Sequence, residues 1–441
     1  MSKMSNIKKA AWYAVENTTM VAFGLISVIV VARVFGPENL GKLSFIQALS
    51  ATTMFLVVLG LDHIIVRELA RKNDDYDLIF TSMIMQTIGW IAHVILVILA
   101  IFVISNDPIE ISIIYITISV LLATYFARGT VLKLFFQAIN VPKKIAISAI
   151  ISRIISLSYL TAALVLNLDY HLVIIFIPIQ ALVQFLVLLI QFLSCRNIDI
   201  KSLKFDQKRS KSLIKEALPL IGSSMLFPVF MQGDILLISS ILDEKNTGIY
   251  SSATRLISQL VFVGHIVTMT FYLALSDKYF EKSNDYESFL NGLIKILFIL
   301  GFGMALSIYM LSEQIIIALY GEKFTGAEDI LKVICWNLVF IFPAALFSRL
   351  LVLQNLAKYE FIKSLTIAIF SLSMNFIFIE KYGILGSAVV SLCSYALADL
   401  IFYSLFKETR DIFKKAISSY ATTIFNPPKA MKNIIKTLEA K

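Results

Sequence analysis

Long runs of apolar residues alternate with short polar segments along the whole chain. Twelve runs approach or exceed the roughly 20 residues that a helix needs to cross the hydrocarbon core of a membrane. Helices are the expected form, because the backbone polar groups of a span must be satisfied within the segment itself. The predicted spans are approximately residues 11–33, 43–61, 80–104, 110–127, 145–166, 171–194, 214–241, 249–275, 288–310, 330–353, 361–379 and 384–406.

Two of the polar breaks resemble one another. The stretch FGPENLGKLSF (35–45) follows the first run, and LDEKNTGIYSS (242–252) follows the seventh. Their glycines, Gly41 and Gly248, are 207 residues apart in a chain of 441. A spacing of nearly half the chain indicates an internal repeat. We therefore predict two six-helix halves that enter from the same side and are related by an axis along the membrane normal.

The composition agrees with a membrane protein. Hydrophobic residues make up 58% of the chain and charged residues 16%, whereas soluble domains have roughly 45–50% and about 25%. The excess of apolar residues requires lipid as the solvent. We therefore expect an all-α polytopic membrane protein with twelve transmembrane helices.

The basic residues orient the predicted helices. Of the 39 Lys and Arg residues, 29 lie on the side that holds both termini, five lie in the opposite loops and five lie within spans. The positive-inside rule therefore places both termini in the cytoplasm. It also accounts for the net charge of +9, so no nucleic-acid partner is expected.

The longest internal connection divides the chain. We predict an N-terminal six-helix lobe over residues 1–194, a cytoplasmic linker over 195–213 and a C-terminal lobe over 214–407. Residues 408–441 form a basic cytoplasmic tail. This tail either lies on the anionic leaflet or is solvated and disordered.

Several motifs of catalysis and cofactor binding are absent from the sequence. There is no GxxxxGK[ST] phosphate loop, the three cysteines form no CxxC pair, and the four histidines form no HExxH motif. No long loop offers space for a catalytic site. We therefore expect a protein that is not an enzyme and that has neither a metal site nor a cofactor, with coupling to H⁺ or Na⁺ left open.

The first of the two similar breaks and the run that follows it resemble a known family. The stretch from Ala32 to Ala70 is similar to the opening of Wzx-type flippases for lipid-linked O-antigen and related polysaccharide repeat units. These flippases are members of the multidrug/oligosaccharidyl-lipid/polysaccharide exporter superfamily. Phe35 replaces the usual Leu. The residues that carry the resemblance are Arg33, Gly36, Pro37, Glu38, Gly41, Gly60, Leu61, Arg67 and Glu68.

The second half resembles the same family. Asp234 lies in the seventh span, followed by Gly248-Ile249-Tyr250 and by Ala253 and Arg255. The resemblance implies a V-shaped, MATE-like transporter in the bacterial inner membrane. It would move an undecaprenyl-diphosphate-linked oligosaccharide, such as a lipopolysaccharide repeat unit, by alternating access. Other polysaccharide assembly proteins are conceivable partners. Two alternatives stay open: a MATE-like drug/cation antiporter, and a membrane polysaccharide polymerase or ligase.

Ionisable residues inside spans are candidate functional residues, because each costs roughly 3 kcal/mol or more at the centre of the membrane. A lipid diphosphate favours Arg, whose planar fork binds phosphate oxygens in pairs. The candidates for substrate binding are Arg255, Arg33, Arg153, Gln259, Arg349 and Arg128. The candidates for ion coupling are Asp234, Asp62, Asp399 and Glu16.

Each of these candidates also has a structural interpretation. A structural ion pair explains each acid equally well, and we expect Asp234 either to be protonated or to pair with a cation such as Arg255. For Arg128 and Lys133 we expect anchoring at the lipid headgroups.

Overall fold

The structure, a computed structural model, describes residues 3–72, 74–104, 110–196, 203–428 and 437. Among these residues the chain forms helices joined by short turns, and no strand occurs. The α-helices are α1 (Lys3–Thr53), α2 (Phe55–Val58), α3 (Asp62–Arg71), α4 (Tyr76–Ile104), α5 (Ile111–Phe126), α6 (Thr130–Ala138), α7 (Pro142–Val165), α8 (Tyr170–Val173), α9 (Phe176–Arg196), α10 (Gln207–Ile241), α11 (Glu244–Phe280), α12 (Tyr286–Tyr320), α13 (Ala327–Ile334), α14 (Asn337–Leu353), α15 (Ala357–Ala396), α16 (Phe402–Leu405) and α17 (Arg410–Phe425). A π-helix, Leu397–Ile401, joins α15 to α16.

The apolar runs of the sequence coincide with these helices. Within the described residues, eight helices are long and apolar enough to cross a membrane, or nine if the bent pair α13 and α14 forms one span. Two of them, Ala11–Arg71 and Ala357–Leu405, are 61 and 49 residues long, so each has room for two predicted spans. The prediction of an all-α multi-pass membrane protein is confirmed, and a count of twelve spans is consistent with these helices.

Glycines interrupt the helical backbone of the two longest candidate spans, at positions where the sequence predicts a turn. Gly36 has φ +81° and ψ 178° inside α1, and Pro37 follows it. Gly383 has φ +60° inside α15. Residues with a Cβ rarely adopt a positive φ, whereas Gly does so at no steric cost. Pro37 is suited to restart the helix, because the first helical position needs no N–H donor.

Asparagine ends three of the helices. Asn140, Asn167 and Asn355 follow α6, α7 and α14 with φ values of 58°, 50° and 59°. Asn is the residue that most often replaces Gly at this left-handed position. The amide of the next residue then donates to a carbonyl five residues back, as from Val141 to Phe136 at 2.9 Å. These three turns separate predicted spans.

The chain forms two compact units. The N-terminal unit contains residues 1–35 and 42–232, and the C-terminal unit contains residues 36–41 and 233–441. In the N-terminal unit α7 and α5 pack against α9, and α3 packs against α6. Its apolar core includes Phe135, whose ring is 5.0 Å from that of Phe192.

In the C-terminal unit, α12 packs against α11, α13 and α14, and α14 also packs against α15. The helix α17 packs against α12 and α16, and Tyr420 stacks on Phe298 with 4.3 Å between the ring centroids. Residues 410–425 of the predicted tail therefore form a docked helix, and disorder is the wrong interpretation for them. Residues 429–436 and 438–441 lie outside the described part of the chain.

Candidate functional site

Four charged residues gather inside the N-terminal unit, each from a different helix. Glu16 of α1 is 5% exposed, and its Oε1 lies 2.6 Å from the ammonium of Lys133 in α6. Arg153 of α7, also 5% exposed, interacts electrostatically with Glu16 and donates from Nη1 to the carbonyl of Ala149 at 3.0 Å. Asp62, at the start of α3, interacts with Lys133. We call Glu16, Asp62, Lys133 and Arg153 the N-terminal ion network.

This network changes the interpretation of two residues. Lys133 was expected to anchor at the lipid headgroups, and this is wrong because it pairs with the buried Glu16. Asp62 is half-buried, and its Oδ1 is inaccessible without a hydrogen-bond partner in the described part of the chain. The network contains two acids and two bases. Arg153 and Glu16 both belong to it, although the sequence analysis had assigned Arg153 to substrate binding and Glu16 to ion coupling.

A second group of charged residues lies inside the C-terminal unit. Lys363 of α15 is 6% exposed, and its ammonium lies 3.0 Å from Glu360 Oε1 and 3.3 Å from Asp399 Oδ1. It also lies 3.2 Å from the hydroxyl oxygen of Tyr403. Asp399 is 7% exposed and belongs to the π-helix. We call Glu360, Lys363, Asp399 and Tyr403 the C-terminal ion network.

Asp234, in α10, is part of a chain of polar side chains. Its carboxylate accepts hydrogen bonds from the hydroxyl of Tyr250 at 2.6 Å and from the amide of Ile235 at 2.8 Å. Tyr250 also interacts with Ser387. Ser387 in turn donates to Asn375 at 2.7 Å. The partner of Asp234 is thus a tyrosine hydroxyl, where the sequence analysis had suggested Arg255.

Arg349, in α14, lies beside two residues of α11. Its guanidinium carbon is 5.7 Å from the ring centroid of Tyr272, and it interacts electrostatically with His265. Its Nη1 is inaccessible and has no hydrogen-bond partner among the described residues. A buried guanidinium N–H without an acceptor costs free energy.

The other candidates for substrate binding lie in different surroundings. Arg255 and Gln259 are half-buried in α11, and Arg255 interacts electrostatically with the buried Tyr320. Arg33 is exposed, three residues before the break at Gly36. Arg128 lies in the 3₁₀-helix Ala127–Gly129, and its side chain is outside the described part of the structure.

The two similar glycine turns meet in the C-terminal unit. A Cβ placed on Gly41 would overlap the carbonyl oxygen of Glu244, and one on Gly248 would overlap the carbonyl oxygen of Pro37. Each Cβ would also lie within about 3 Å of the other glycine's amide nitrogen. The contact is reciprocal between the two turns, and only residues without a side chain permit it.

Comparison with known proteins places the chain in a family. Residues 7–272 match the model of a family described as "Polysaccharide biosynthesis protein". The chain belongs to this polysaccharide biosynthesis family. It is also 19% identical over 414 residues to the capsular polysaccharide biosynthesis protein CapF of Staphylococcus aureus, a similarity that covers 91% of this chain and 99% of CapF.

Solved structures show the fold of this family member. An inward-facing multidrug resistance MATE transporter of the MOP superfamily superposes with a TM-score of 0.71 at 16% identity, covering 90% of this chain and 96% of the transporter. The lipid II flippase MurJ gives a TM-score of 0.69 at 15% identity, covering 98% and 97%. The resemblance to polysaccharide exporters inferred from the sequence is confirmed at the level of family and fold.

Sequence reasoning missed several residues of these networks. Lys363 lies near the start of the predicted span 361–379 and was counted as a loop charge. The signal that could have found it is Glu360, three residues earlier and hence on the same helix face. Tyr250 and Tyr403 gave no such signal, because a tyrosine in an apolar helix is ordinarily a packing residue.

Proposed function

We propose that this protein is a flippase that moves an undecaprenyl-diphosphate-linked oligosaccharide across the bacterial inner membrane. The substrate would be an O-antigen or a related polysaccharide repeat unit. Movement would occur by alternating access, with both termini in the cytoplasm. The family membership and the likeness to a capsular polysaccharide protein and to a lipid II flippase support this proposal.

At the level of individual residues, the proposal rests on the surroundings of Arg349. A lipid diphosphate bears about two negative charges, which cannot cross hydrocarbon without partners. The guanidinium of Arg349 has an N–H without an acceptor within the described residues, and no acidic side chain pairs with it there. This N–H is inaccessible in the present conformation, so the proposal requires alternating access to open the position before a phosphate binds. A phosphate oxygen supplies the missing acceptor in the paired geometry that Arg favours.

Deletion of the gene tests the function in cells. We expect surface polysaccharide to disappear while lipid-linked single repeat units accumulate facing the cytoplasm. Unpolymerised units on the outer face would favour a polymerase instead. Normal polysaccharide with increased sensitivity to dyes would favour a drug/cation antiporter.

Replacement of arginines tests the binding residues. Arg349→Ala should stop export at normal protein abundance, whereas Arg349→Lys should retain part of the activity because it keeps the charge and loses the fork. Arg255→Ala and Arg255→Lys should behave in the same way. Arg71→Ala is the matched control, since this arginine is 73% exposed in α3. Full export by Arg349→Ala would show that Arg349 does not bind the substrate.

A further inference from the structure

The helix α17 is held in place by contacts with the rest of the C-terminal unit. The hydroxyl of the buried Thr409, just before the helix, donates to a carbonyl of α16 at 2.9 Å. The ammonium of Lys415 lies 2.8 Å from Glu287 at the start of α12, and Tyr420 stacks on Phe298 further along the same helix. These contacts determine which side of α17 faces away from the unit.

The outward side of α17 carries a continuous stripe of exposed side chains. Arg410, Lys414, Ile417 and Ile424 follow one another at spacings of four, three and seven residues, which places them on one face of a helix. Phe425 extends this face at the end of the helix. Ile424 and Phe425 are 57% and 85% exposed. We call these five residues the α17 stripe.

The polarity of the α17 stripe changes along the helix axis. Its two cations come first, and from Ala416 to Phe425 the helix contains no charged residue. In this second part the hydroxyls of Thr422 and Thr423 donate to carbonyls four residues earlier, at 2.6 and 2.8 Å, so they are satisfied without water. A stripe that is cationic at one end and apolar at the other follows the order of the headgroup and acyl-chain layers in a leaflet.

The contacts of α17 place it beside predicted membrane spans. Lys415 meets Glu287, whereas Tyr420 meets Phe298, about 18 Å along α12 from its first residue. Tyr420 also interacts electrostatically with Asp399. Phe298 and Asp399 both lie within spans predicted from the sequence. The apolar end of α17 therefore lies deeper among the spans than its cationic end.

A lipid leaflet fits the α17 stripe better than water or a protein partner. Large adjacent apolar side chains that face water form a patch of the kind that marks an interaction site. Acyl chains would cover these side chains, and anionic headgroups attract cations at the membrane surface. A protein partner could also cover the apolar residues, but it gives no reason for the cations to precede them along the axis.

We propose that the α17 stripe is a lipid-binding surface, through which the helix enters the leaflet on the predicted cytoplasmic side obliquely. Arg410 and Lys414 contact anionic lipid headgroups, and Ile417, Ile424 and Phe425 lie among acyl chains. The stripe thus anchors the C-terminal unit beyond its last predicted span. This anchor does not depend on what the protein transports.

Quenching of a fluorescent label by brominated lipids tests the depth of the stripe. In the full chain with its three native cysteines replaced by serine, one new cysteine is labelled with bimane, and the protein is placed in nanodiscs whose lipids carry bromine on the acyl chains. We expect quenching to increase from Lys414→Cys through Ile417→Cys to Ile424→Cys. Lys358→Cys is the control, because this exposed lysine of the same unit lies outside the stripe and should be quenched least.

Two results would overturn the insertion of α17. One is quenching by iodide in the water that is as strong at Ile424→Cys as at Lys358→Cys, since it would place the end of the helix in water. The other is excimer emission from pyrene at Ile424→Cys, together with loss of quenching by brominated lipids, when two copies share a vesicle. That result would assign the stripe to a contact between copies.

The headgroup contact is tested by replacing both cations, in Arg410→Gln combined with Lys414→Gln. With bimane at Ile417→Cys, brominated phosphatidylglycerol should quench more than the same amount of brominated phosphatidylcholine, and the double variant should lose this difference. Lys358→Gln combined with Lys381→Gln removes two exposed cations elsewhere in the unit and should keep it. A difference that is absent with both cations present, or that survives in the double variant, would overturn their role. Elution of each variant as a single species on gel filtration checks that the fold is retained.

Discussion

The N-terminal and C-terminal ion networks bury charges in different ways. The N-terminal network sets Glu16 and Asp62 against Lys133 and Arg153, so its charges balance. The C-terminal network sets two acids against Lys363. The N-terminal network has equal numbers of acids and bases, although Asp62 Oδ1 has no hydrogen-bond partner among the described residues. In the C-terminal network Asp399 is buried beside Lys363, whereas the second acid, Glu360, has a side chain that is 36% exposed. The two networks therefore differ in the burial of their acids as well as in the number of their charges.

The contact between the two repeated turns should give the largest effect on substitution. Gly41→Ala or Gly248→Ala places a Cβ onto backbone atoms that belong to the opposite turn, so we expect the loss of folded protein, measured as abundance in the membrane. Gly303→Ala is the control, because a Cβ there has no neighbour within 4 Å. Normal abundance of Gly41→Ala would contradict the close contact.

The next largest effect is expected from removal of the shared cation. Lys363→Met leaves the buried carboxylate of Asp399 and the partly exposed one of Glu360 without this positive partner, and breaking a buried ion pair costs about 3–5 kcal/mol. Thermal unfolding in detergent should show the loss, and Lys363→Met combined with Glu360→Gln and Asp399→Asn should recover most of it. A triple variant as unstable as the single one would mean that Lys363 stabilises the unit by packing alone.

A smaller effect is expected in the N-terminal network. Glu16→Gln removes the acid beside Lys133 and Arg153, but Lys133 is 30% exposed and can turn towards water. We expect a loss of about 1–3 kcal/mol in thermal unfolding. A loss as large as that of Lys363→Met would show that the two networks stabilise their units equally and would break the comparison.

The smallest effect concerns a pair outside both networks. The buried ammonium of Lys42 lies 2.6 Å from Glu110, just before α5, and together with Ser112 it holds the pKa of Glu110 below its ordinary value. A depressed pKa stabilises the fold above the unfolded-state pKa, and the gain is lost as the pH falls through the folded-state pKa. Because Glu110 is 57% exposed, we expect less than about 1 kcal/mol. In Lys42→Met, the loss of thermal stability that accompanies protonation of Glu110 should disappear. A dependence of the unfolding temperature on pH that is the same as in the unmodified protein would contradict the pairing.

Much of the fold was predictable from the sequence. Apolar length predicted the helices, and the breaks between the predicted spans 11–33 and 43–61 and between 361–379 and 384–406 coincide with non-helical backbone at Gly36 and Gly383. These features depend on residues that are near one another in sequence, or on a backbone geometry that only glycine permits. The ion networks were less predictable. Glu16 and Lys133 lie on helices far apart in sequence, and in the C-terminal network Asp399 lies 36 residues after Lys363.

The contrast between Asp234 and Asp399 shows the same limit. Both were predicted as acids within spans, with either a structural ion pair or a role in ion coupling. Asp399 meets a lysine, whereas Asp234 meets the hydroxyl of Tyr250. The choice between these partners is set by the rotation of each helix about its axis, and in a mostly apolar span the sequence pattern constrains that rotation weakly.

Movement of a lipid-linked saccharide by the purified protein tests the central claim most directly. Liposomes that contain the protein and a fluorescent undecaprenyl-diphosphate saccharide are treated with a reagent that destroys only outward-facing label. The account predicts that the unmodified protein and Arg71→Ala bring the protected fraction to the outer leaflet, and that Arg349→Ala does so far more slowly. A protected fraction that stays the same as in liposomes without protein would contradict the account.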